Sequence, residues 1–116
     1  MRRLLLFLLL LPLALWAADI TGNWNFSVDL DAGSGNPSFT FQQDGEKLTG
    51  HYSGQLGEAD LTGTVRGDDI EFTFTVKGDQ GESTATFTGK ISGDTMKGKA
   101  VYTNFGSGTF AARRAR

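Results

Sequence analysis

Cysteine is absent from the 116 residues of this chain, and histidine occurs once, as His51. Without cysteine there are no disulfides, so a hydrophobic core must stabilise the fold alone. The same absence excludes thiol catalysis, thiolate-bound zinc and lipid attachment to a thiol. A lone His51 leaves no second imidazole for a metal site, and spacing suggests no Ser–His pair. We therefore expect no catalysis, no metal site and no cofactor, and we expect His51 to lie on the surface.

Helical periodicity and an excess of positive charge are also missing. No segment repeats its apolar residues with the period of a helix. Proline is rare, and Pro37 is the only one after residue 18. The formal net charge at pH 7 is −2. An acidic chain is poorly suited to nucleic acid or to an anionic membrane surface, so we expect neither as a partner.

The start of the chain differs in composition from the rest. Two early arginines precede a nearly continuous apolar run from Leu4 to Trp16, and two alanines stand before Asp19. This order is typical of a secretory signal peptide, and the run is shorter than the roughly 20 residues that span a bilayer. We predict a signal peptide at residues 1–18 and a single domain at residues 19–116. We expect the domain to be exported, to the periplasm or outside the cell. After the leader is cleaved, we expect no stable membrane insertion. The sequence does not define the residue after which cleavage occurs.

A five-residue pattern recurs after this leader: apolar, Thr or Lys, Gly, any residue, apolar. It occupies residues 20–24, 48–52, 61–65, 87–91 and 96–100. Successive side chains of a strand point to opposite faces, so the apolar ends and the glycine share one face. Threonine dominates the alternate positions and suits a solvated pleat. The pattern predicts strands with an apolar inner face and a polar outer face.

Eight alternating segments predict eight strands. They are Gly22–Leu30, Ser38–Gln43, Lys47–Ser53, Asp60–Arg66, Ile70–Lys77, Ser83–Ile91, Thr95–Tyr102 and Ser107–Ala112. No connection between them is long enough for a Greek-key crossing. We therefore predict an all-β fold, an eight-stranded antiparallel up-and-down (meander) β-barrel. Ten aromatic residues fall on its inward parity: Trp24, Phe26, Phe39, Phe41, Tyr52, Phe72, Phe74, Phe87, Tyr102 and Phe110.

The connections alternate in length along the chain. Short turns containing Gly and Asp are predicted after the second, fourth and sixth strands. Longer loops are predicted at residues 31–37, 54–59, 78–82 and 103–106. Successive connections of a meander lie at opposite ends, so we expect a plain base with tight turns and a mouth with longer loops.

Gly22-Asn23-Trp24 begins the first strand, and the chain ends in a run containing Arg113 and Arg114. A Gly-x-Trp with a basic side chain from the last strand resembles the calycin group of barrels, which includes lipocalins and avidins. The resemblance implies a guanidinium stacked on Trp24, and strand parity favours Arg114 over Arg113. Short strands and residues 48–52 resemble avidins most, although Trp24 is the only Trp after the leader and avidins use several for biotin. The chain is also similar in style to small Gly- and Thr-rich domains of secreted bacterial proteins.

An eight-stranded barrel is either filled by its own side chains or holds one small ligand. Strand parity and loop position define the residues that would contact a ligand at the upper end. The candidate ligand-binding residues are Leu30, Phe39, Tyr52, Phe74, Val76 and Tyr102. The candidate residues of the mouth rim are Asn36, Gln55, Glu58, Gln80, Asn104 and Phe105.

These expectations favour a secreted or periplasmic, non-catalytic barrel that binds a small apolar or aromatic molecule in its interior. The alternative is a packed-core structural or protein-interaction module of the cell envelope with no small-molecule ligand. The outward faces carry no apolar stripe, so a monomer is expected in either case. A cavity separates the first function from the second.

Overall fold

The computed structural model of the protein describes residues 18–78 and 81–115. Nine strands occur in this part of the chain. They are β1 (Gly22–Leu30), β2 (Gly33–Gly35), β3 (Ser38–Asp44), β4 (Lys47–Gly54), β5 (Gly57–Arg66), β6 (Asp69–Gly78), β7 (Gly81–Ser92), β8 (Thr95–Tyr102) and β9 (Gly106–Arg114). Of the predicted signal peptide, residues 1–17 lie outside the described residues. Within the described ranges, no helix is long and apolar enough to cross a membrane.

All neighbouring strands pair antiparallel, and the sheet closes because β9 returns to β1. In this last pair Trp24 lies opposite Arg114 and Leu30 lies opposite Gly108. Closure removes the long free edges that an open sheet would have, and the short β2, which pairs with β1, ends the strand order. The up-and-down order and the closed antiparallel barrel confirm the predicted fold class.

Strands β2 and β3 occupy one side of β1 in a single register. Val28 faces Gly35 on β2, and Trp24 faces Phe39 on β3. Between them the N–H of Phe26 donates to the carbonyl of Pro37 at 3.0 Å. Proline has no N–H to return a ladder bond, so β2 and β3 are one strand interrupted at Pro37. The barrel therefore has eight strands in its wall.

The predicted contrast in loop length is wrong. Residues 31–37 were expected to form a loop, but Leu30 pairs with Gly33 and leaves a two-residue turn. Gly54 likewise pairs with Gly57. Gly57 has φ of 109°, a conformation that glycine adopts readily. Glycines that favour turns therefore begin strands here, and both ends of the barrel carry tight connections.

The turns that follow β3, β5 and β7 lie at one end of the barrel, which we call the base. We call the opposite end the mouth. At the base, Ile20 is fully buried, and its carbonyl accepts a hydrogen bond from Nε1 of Trp24 at 3.0 Å. Cζ of Arg114 lies 4.8 Å from the centroid of the Trp24 ring. The guanidinium also donates to the carbonyls of Asp19 and Thr21, both at 3.0 Å. The stack expected between Trp24 and Arg114 therefore joins the two ends of the described chain.

Aromatic rings fill the interior between the base and the mouth. All ten aromatic residues that were predicted to point inward are at most 4% exposed. Phe39 lies at the centre, with its ring centroid 4.3 Å from that of Phe26 and 5.3 Å from that of Phe72. Tilted and edge-to-face ring pairs of this kind add to the stabilisation from burial. The middle of the barrel is thus a packed core.

The glycines of the recurring pattern allow neighbouring strands to come close. A Cβ placed on Gly63 would meet the carbonyl oxygen of Glu71 and lie 2.6 Å from Cβ of Phe72. A Cβ on Gly89 would lie 2.9 Å from Cζ of Phe110. Aromatic side chains therefore occupy the space over these glycines. Small and large inward residues alternate in the same way in other small barrels.

Candidate functional site

A cavity of about 200 Å³ opens at the mouth, and we call it the mouth cavity. It lies between the β1–β2 hairpin, the β4–β5 turn and Phe105 of the β8–β9 turn. Its lining residues are Val28, Leu30, Ala32, Gly33, Ser34, Gly35, Asn36, Pro37, Tyr52, Gln55, Leu56, Tyr102 and Phe105. Three of these residues, Val28, Tyr52 and Tyr102, also belong to the buried core.

The apolar wall of the cavity comes from strand ends and turns. Val28 and Leu30 belong to the inner face of β1, where alternation with Asp29 directs them inward. Leu56 stands in the β4–β5 turn and is 37% exposed. An exposed leucine beside the half-buried Phe105 leaves apolar surface on both sides of the opening. Such surface gains free energy when a ligand removes it from water.

Tyr52 forms one polar point of the wall. Its ring is stacked on Phe74 with centroids 4.3 Å apart. The N–H of Leu56 donates to its hydroxyl oxygen at 3.4 Å. Gly54 makes room for the hydroxyl, since a Cβ there would lie 2.6 Å from it. Burial raises the pKa of Tyr52 above its ordinary value, and the Leu56 N–H partly opposes that rise. The phenol therefore stays protonated, and its O–H proton is not used by the bond from Leu56.

Tyr102 forms the second polar point. Its ring meets Phe74 edge to face, at 6.1 Å and 83°. Burial raises the pKa of Tyr102 strongly, and nearby Tyr52 adds to the rise. Among the described residues the Tyr102 hydroxyl makes no hydrogen bond, although the side chain is only 4% exposed. No fully buried polar side-chain atom of the described residues lacks a partner. The Tyr102 hydroxyl is therefore not fully buried, and it reaches solvent through the mouth cavity that it lines.

No Asp, Glu, Lys, Arg or His lines the mouth cavity among the described residues. Its other polar side chains are neutral. Oδ1 of Asn36 accepts a hydrogen bond from the Ser27 hydroxyl at 3.2 Å, and the Gln55 side chain lies over Gly35. A charged ligand would lose hydration here without gaining an ion pair. The cavity is thus suited to a neutral molecule.

The six candidate ligand-binding residues divide into three groups. Leu30, Tyr52 and Tyr102 line the mouth cavity. Phe39 and Phe74 lie in the packed core. Val76 lines a second, wider depression on the other side of Leu56 and Phe105.

The candidate rim residues also divide. Asn36, Gln55 and Phe105 line the mouth cavity. Asn104 lines the second depression, and its Nδ2 donates to the carbonyl of Glu82 at 3.4 Å. The remaining two rim residues are Glu58, which lies on the outer wall, and Gln80, which lies outside the described residues.

Several lining residues were not among the candidates. Ala32, Pro37 and Leu56 were assigned to loops, because their segments contain Gly, Ser and Pro. One signal was available, since Leu56 is an isolated apolar residue in a tight turn. Val28 has the same inward parity as Leu30 but is not one of the six candidate ligand-binding residues.

His51 lies on the outer wall and is not among the residues that line the mouth cavity. Its Nδ1 is 3.1 Å from Oδ1 of Asp60, and its Nε2 is 2.9 Å from Oε1 of Glu58. Both ring nitrogens can donate only when the imidazole is protonated. The bonds to Glu58 and Asp60 therefore raise the pKa of His51. Within residues 18–78 and 81–115, no group of three or more His, Asp or Glu side chains could hold a metal ion.

No protein-family model matches the sequence, and no curated protein matches it either. The chain shares with calycins the general architecture of a closed eight-stranded antiparallel barrel. Its function must therefore be argued from the mouth cavity itself.

Proposed function

We propose that the protein binds a small, uncharged, apolar or aromatic molecule in the mouth cavity and performs no chemistry on it. The observation that carries this proposal is an opening of about 200 Å³ with apolar walls, two tyrosines and no charged lining residue. Ligand sites are typically concave and largely apolar, with a few polar groups that fix orientation. The apolar leader at residues 1–18 supports export as the setting for this binding.

The size of the cavity limits the ligand. An apolar cavity of about 150 Å³ in another protein holds benzene. A single ring with a short substituent therefore fits the mouth cavity, whereas the packed core beneath it leaves no room for a longer chain. For ligands with about nine heavy atoms, we expect dissociation constants between about 10 µM and 1 mM.

A second candidate function is a packed structural or protein-interaction module of the cell envelope. The filled aromatic interior favours it, because the barrel is stable without a ligand. In the described part of the chain, Leu56 and Val101 are the large apolar side chains classed as exposed. A monomer is therefore proposed under both functions.

Toluene binding followed by NMR tests the first function. A ¹⁵N-labelled chain of residues 19–116 is titrated, and amide shifts are fitted to one site. We expect saturable shifts at Leu30, Gln55 and Phe105, with little change at the base. A well-folded protein without saturable shifts would favour the packed module instead.

A matched pair of variants locates the site. Leu30→Ala removes apolar surface from the cavity wall, whereas Val101→Ala removes it from the outer wall, where Val101 is 52% exposed. We expect toluene affinity to fall several-fold in Leu30→Ala and to stay unchanged in Val101→Ala. Equal affinity in both variants would place binding elsewhere.

A further inference from the structure

The chain has two tyrosines, and both line the mouth cavity. Both rings pack on Phe74, so one buried residue positions the pair. The other inward aromatic residues are phenylalanine, apart from Trp24 at the base. Hydroxyls are thus confined to the two inward aromatic positions at the opening. A purely apolar site would be served equally well by phenylalanine at both.

Both hydroxyls have an unused proton. The Tyr52 oxygen accepts from the Leu56 N–H, a bond that leaves its own O–H free to donate. The Tyr102 hydroxyl makes no hydrogen bond within the described part of the chain. It reaches solvent through the cavity, so a molecule bound there would replace water as its hydrogen-bond partner.

We infer that the hydroxyls of Tyr52 and Tyr102 donate hydrogen bonds to an oxygen of the ligand, so the ligand is a small neutral molecule with a carbonyl group. This inference rests on the proposed function of the mouth cavity. A carbonyl oxygen has two lone pairs and accepts two donors at once. It brings no charge into a site without charged lining residues.

Two other ligand classes fit less well. A hydrocarbon leaves both phenol protons without an acceptor once water is displaced, which costs free energy. A carboxylate would accept both protons, but it would be desolvated with no Lys or Arg in the cavity lining. Raised pKa values keep both phenols protonated, so they remain donors throughout the neutral range.

Acetophenone and α-methylstyrene provide a matched pair of probes. They have the same ring and nearly the same shape, and they differ in C=O against C=CH₂. Each is titrated into the labelled chain of residues 19–116, with benzoate as the charged comparison. Each net hydrogen bond changes affinity by about two- to tenfold, and two are inferred here. We therefore expect acetophenone to bind at least about fourfold more tightly than α-methylstyrene, and benzoate to bind more weakly than acetophenone.

Tyr102→Phe and Tyr52→Phe assign the preference to the hydroxyls. Each removes one oxygen and keeps the ring on Phe74, so the fold is retained, and amide spectra verify it. We expect the acetophenone preference to shrink in each variant and to disappear in the double variant. The affinity for α-methylstyrene is expected to stay the same or to rise, because its binding no longer leaves a phenol proton without an acceptor. Val101→Ala serves as the control and is expected to keep the full preference.

The outcomes separate this inference from the proposed function. If toluene, acetophenone and α-methylstyrene all fail to bind, the proposed function is wrong and the inference falls with it. If acetophenone and α-methylstyrene bind equally, the cavity binds ligands but the role of the hydroxyls is wrong. A preference that persists in the double variant, or tighter binding of benzoate, also overturns the inference.

Discussion

Gly63 shows how a missing side chain determines strand spacing. Its Cα lies so close to β6 that a Cβ would meet the Glu71 carbonyl and lie 2.7 Å from Cα of Phe72. Both obstacles are backbone or lie next to it, so neither can rotate away. Gly35 differs, because a Cβ there would lie at an ordinary distance of 3.5 Å from the flexible Gln55 side chain. Two glycines on strands of the same barrel therefore have different structural roles.

We predict that Gly63→Ala lowers the free energy of unfolding by about 1–3 kcal/mol, because the strands must move apart. The measurement is urea denaturation followed by Trp24 fluorescence. Gly35→Ala is the matched control and is expected to change stability by less than about 0.5 kcal/mol. Equal effects of the two substitutions would contradict the role given to close strand approach.

Arg114 joins the start of the described chain to its end. Besides the Trp24 stack, its Nε donates to Oδ1 of Asp94 at 2.8 Å. Its two terminal nitrogens bond to the carbonyls of Asp19 and Thr21. Lysine has one ammonium group in place of the planar fork and cannot make all of these bonds.

We predict that Arg114→Ala lowers the free energy of unfolding by about 2–3 kcal/mol, since a cation–π contact and several charge-assisted hydrogen bonds are lost together. Arg114→Lys is expected to recover less than half of that loss. Denaturant unfolding provides the measurement, and neighbouring Arg113→Ala provides the control. A comparable loss in Arg113→Ala would show that charge alone matters at this end of the chain.

The strands, taken as elements, show how far pattern reasoning extends. Period-two alternation predicted the bounds of β1 and β8 as the structure has them, and the inward parity of every core aromatic residue. It missed β2, because Gly33-Ser34-Gly35 has no apolar residue to alternate. Pairing with β1 is determined by backbone hydrogen bonds, which such a sequence does not reveal.

Strand parity also predicted part of the candidate site. Tyr52 and Tyr102 lie on regular strands, where parity determines which face each side chain occupies. Leu56 and Pro37 lie where regular alternation stops, so parity could not assign them. The positions of these residues depend on how two hairpins meet across the mouth, which is a tertiary feature.

Strands β4 and β5 carry a pH-dependent contact on the outer wall. His51 lies directly opposite Asp60 in the register, and Glu58 stands two residues before Asp60 on β5. Protonated His51 donates to both carboxylates, so its pKa is raised above the ordinary value of 6.5 in the folded chain. A raised folded-state pKa stabilises the fold below the unfolded pKa and loses that contribution as the pH rises through the folded pKa.

We therefore predict that stability gained from His51 is complete below about pH 6 and is lost above its raised pKa. The pKa itself is measured by NMR titration of the imidazole, and unfolding is compared with that of His51→Gln across the same range. The variant is expected to show a flatter pH profile between pH 6 and 8. A His51 pKa at or below 6.5 would contradict the contact.

At the scale of the whole molecule, the closure of the barrel couples its two ends. The pairing of β9 with β1 joins elements far apart in the sequence. The buried core includes Trp24 at the base, and ring contacts join Phe26 through Phe39 to Tyr52 at the mouth. The chain has no cysteine, so no disulfide links parts of the wall in addition to the strand pairing and this core.

We predict that residues 19–116 unfold as one cooperative unit, because separating β1 from β9 exposes the core along the barrel. Trp24 fluorescence reports on the base, amide signals of Gln55 and Phe105 report on the mouth, and far-ultraviolet circular dichroism reports on the whole sheet. The three denaturation curves are expected to coincide. If the mouth signals were lost at lower denaturant than the Trp24 signal, the β1–β2 hairpin and the β4–β5 turn would open separately.

In the cooperative case, a ligand in the mouth cavity also stabilises the distant base. At a ligand concentration of a hundred times the dissociation constant, the free energy of unfolding reported by Trp24 rises by about 2.7 kcal/mol.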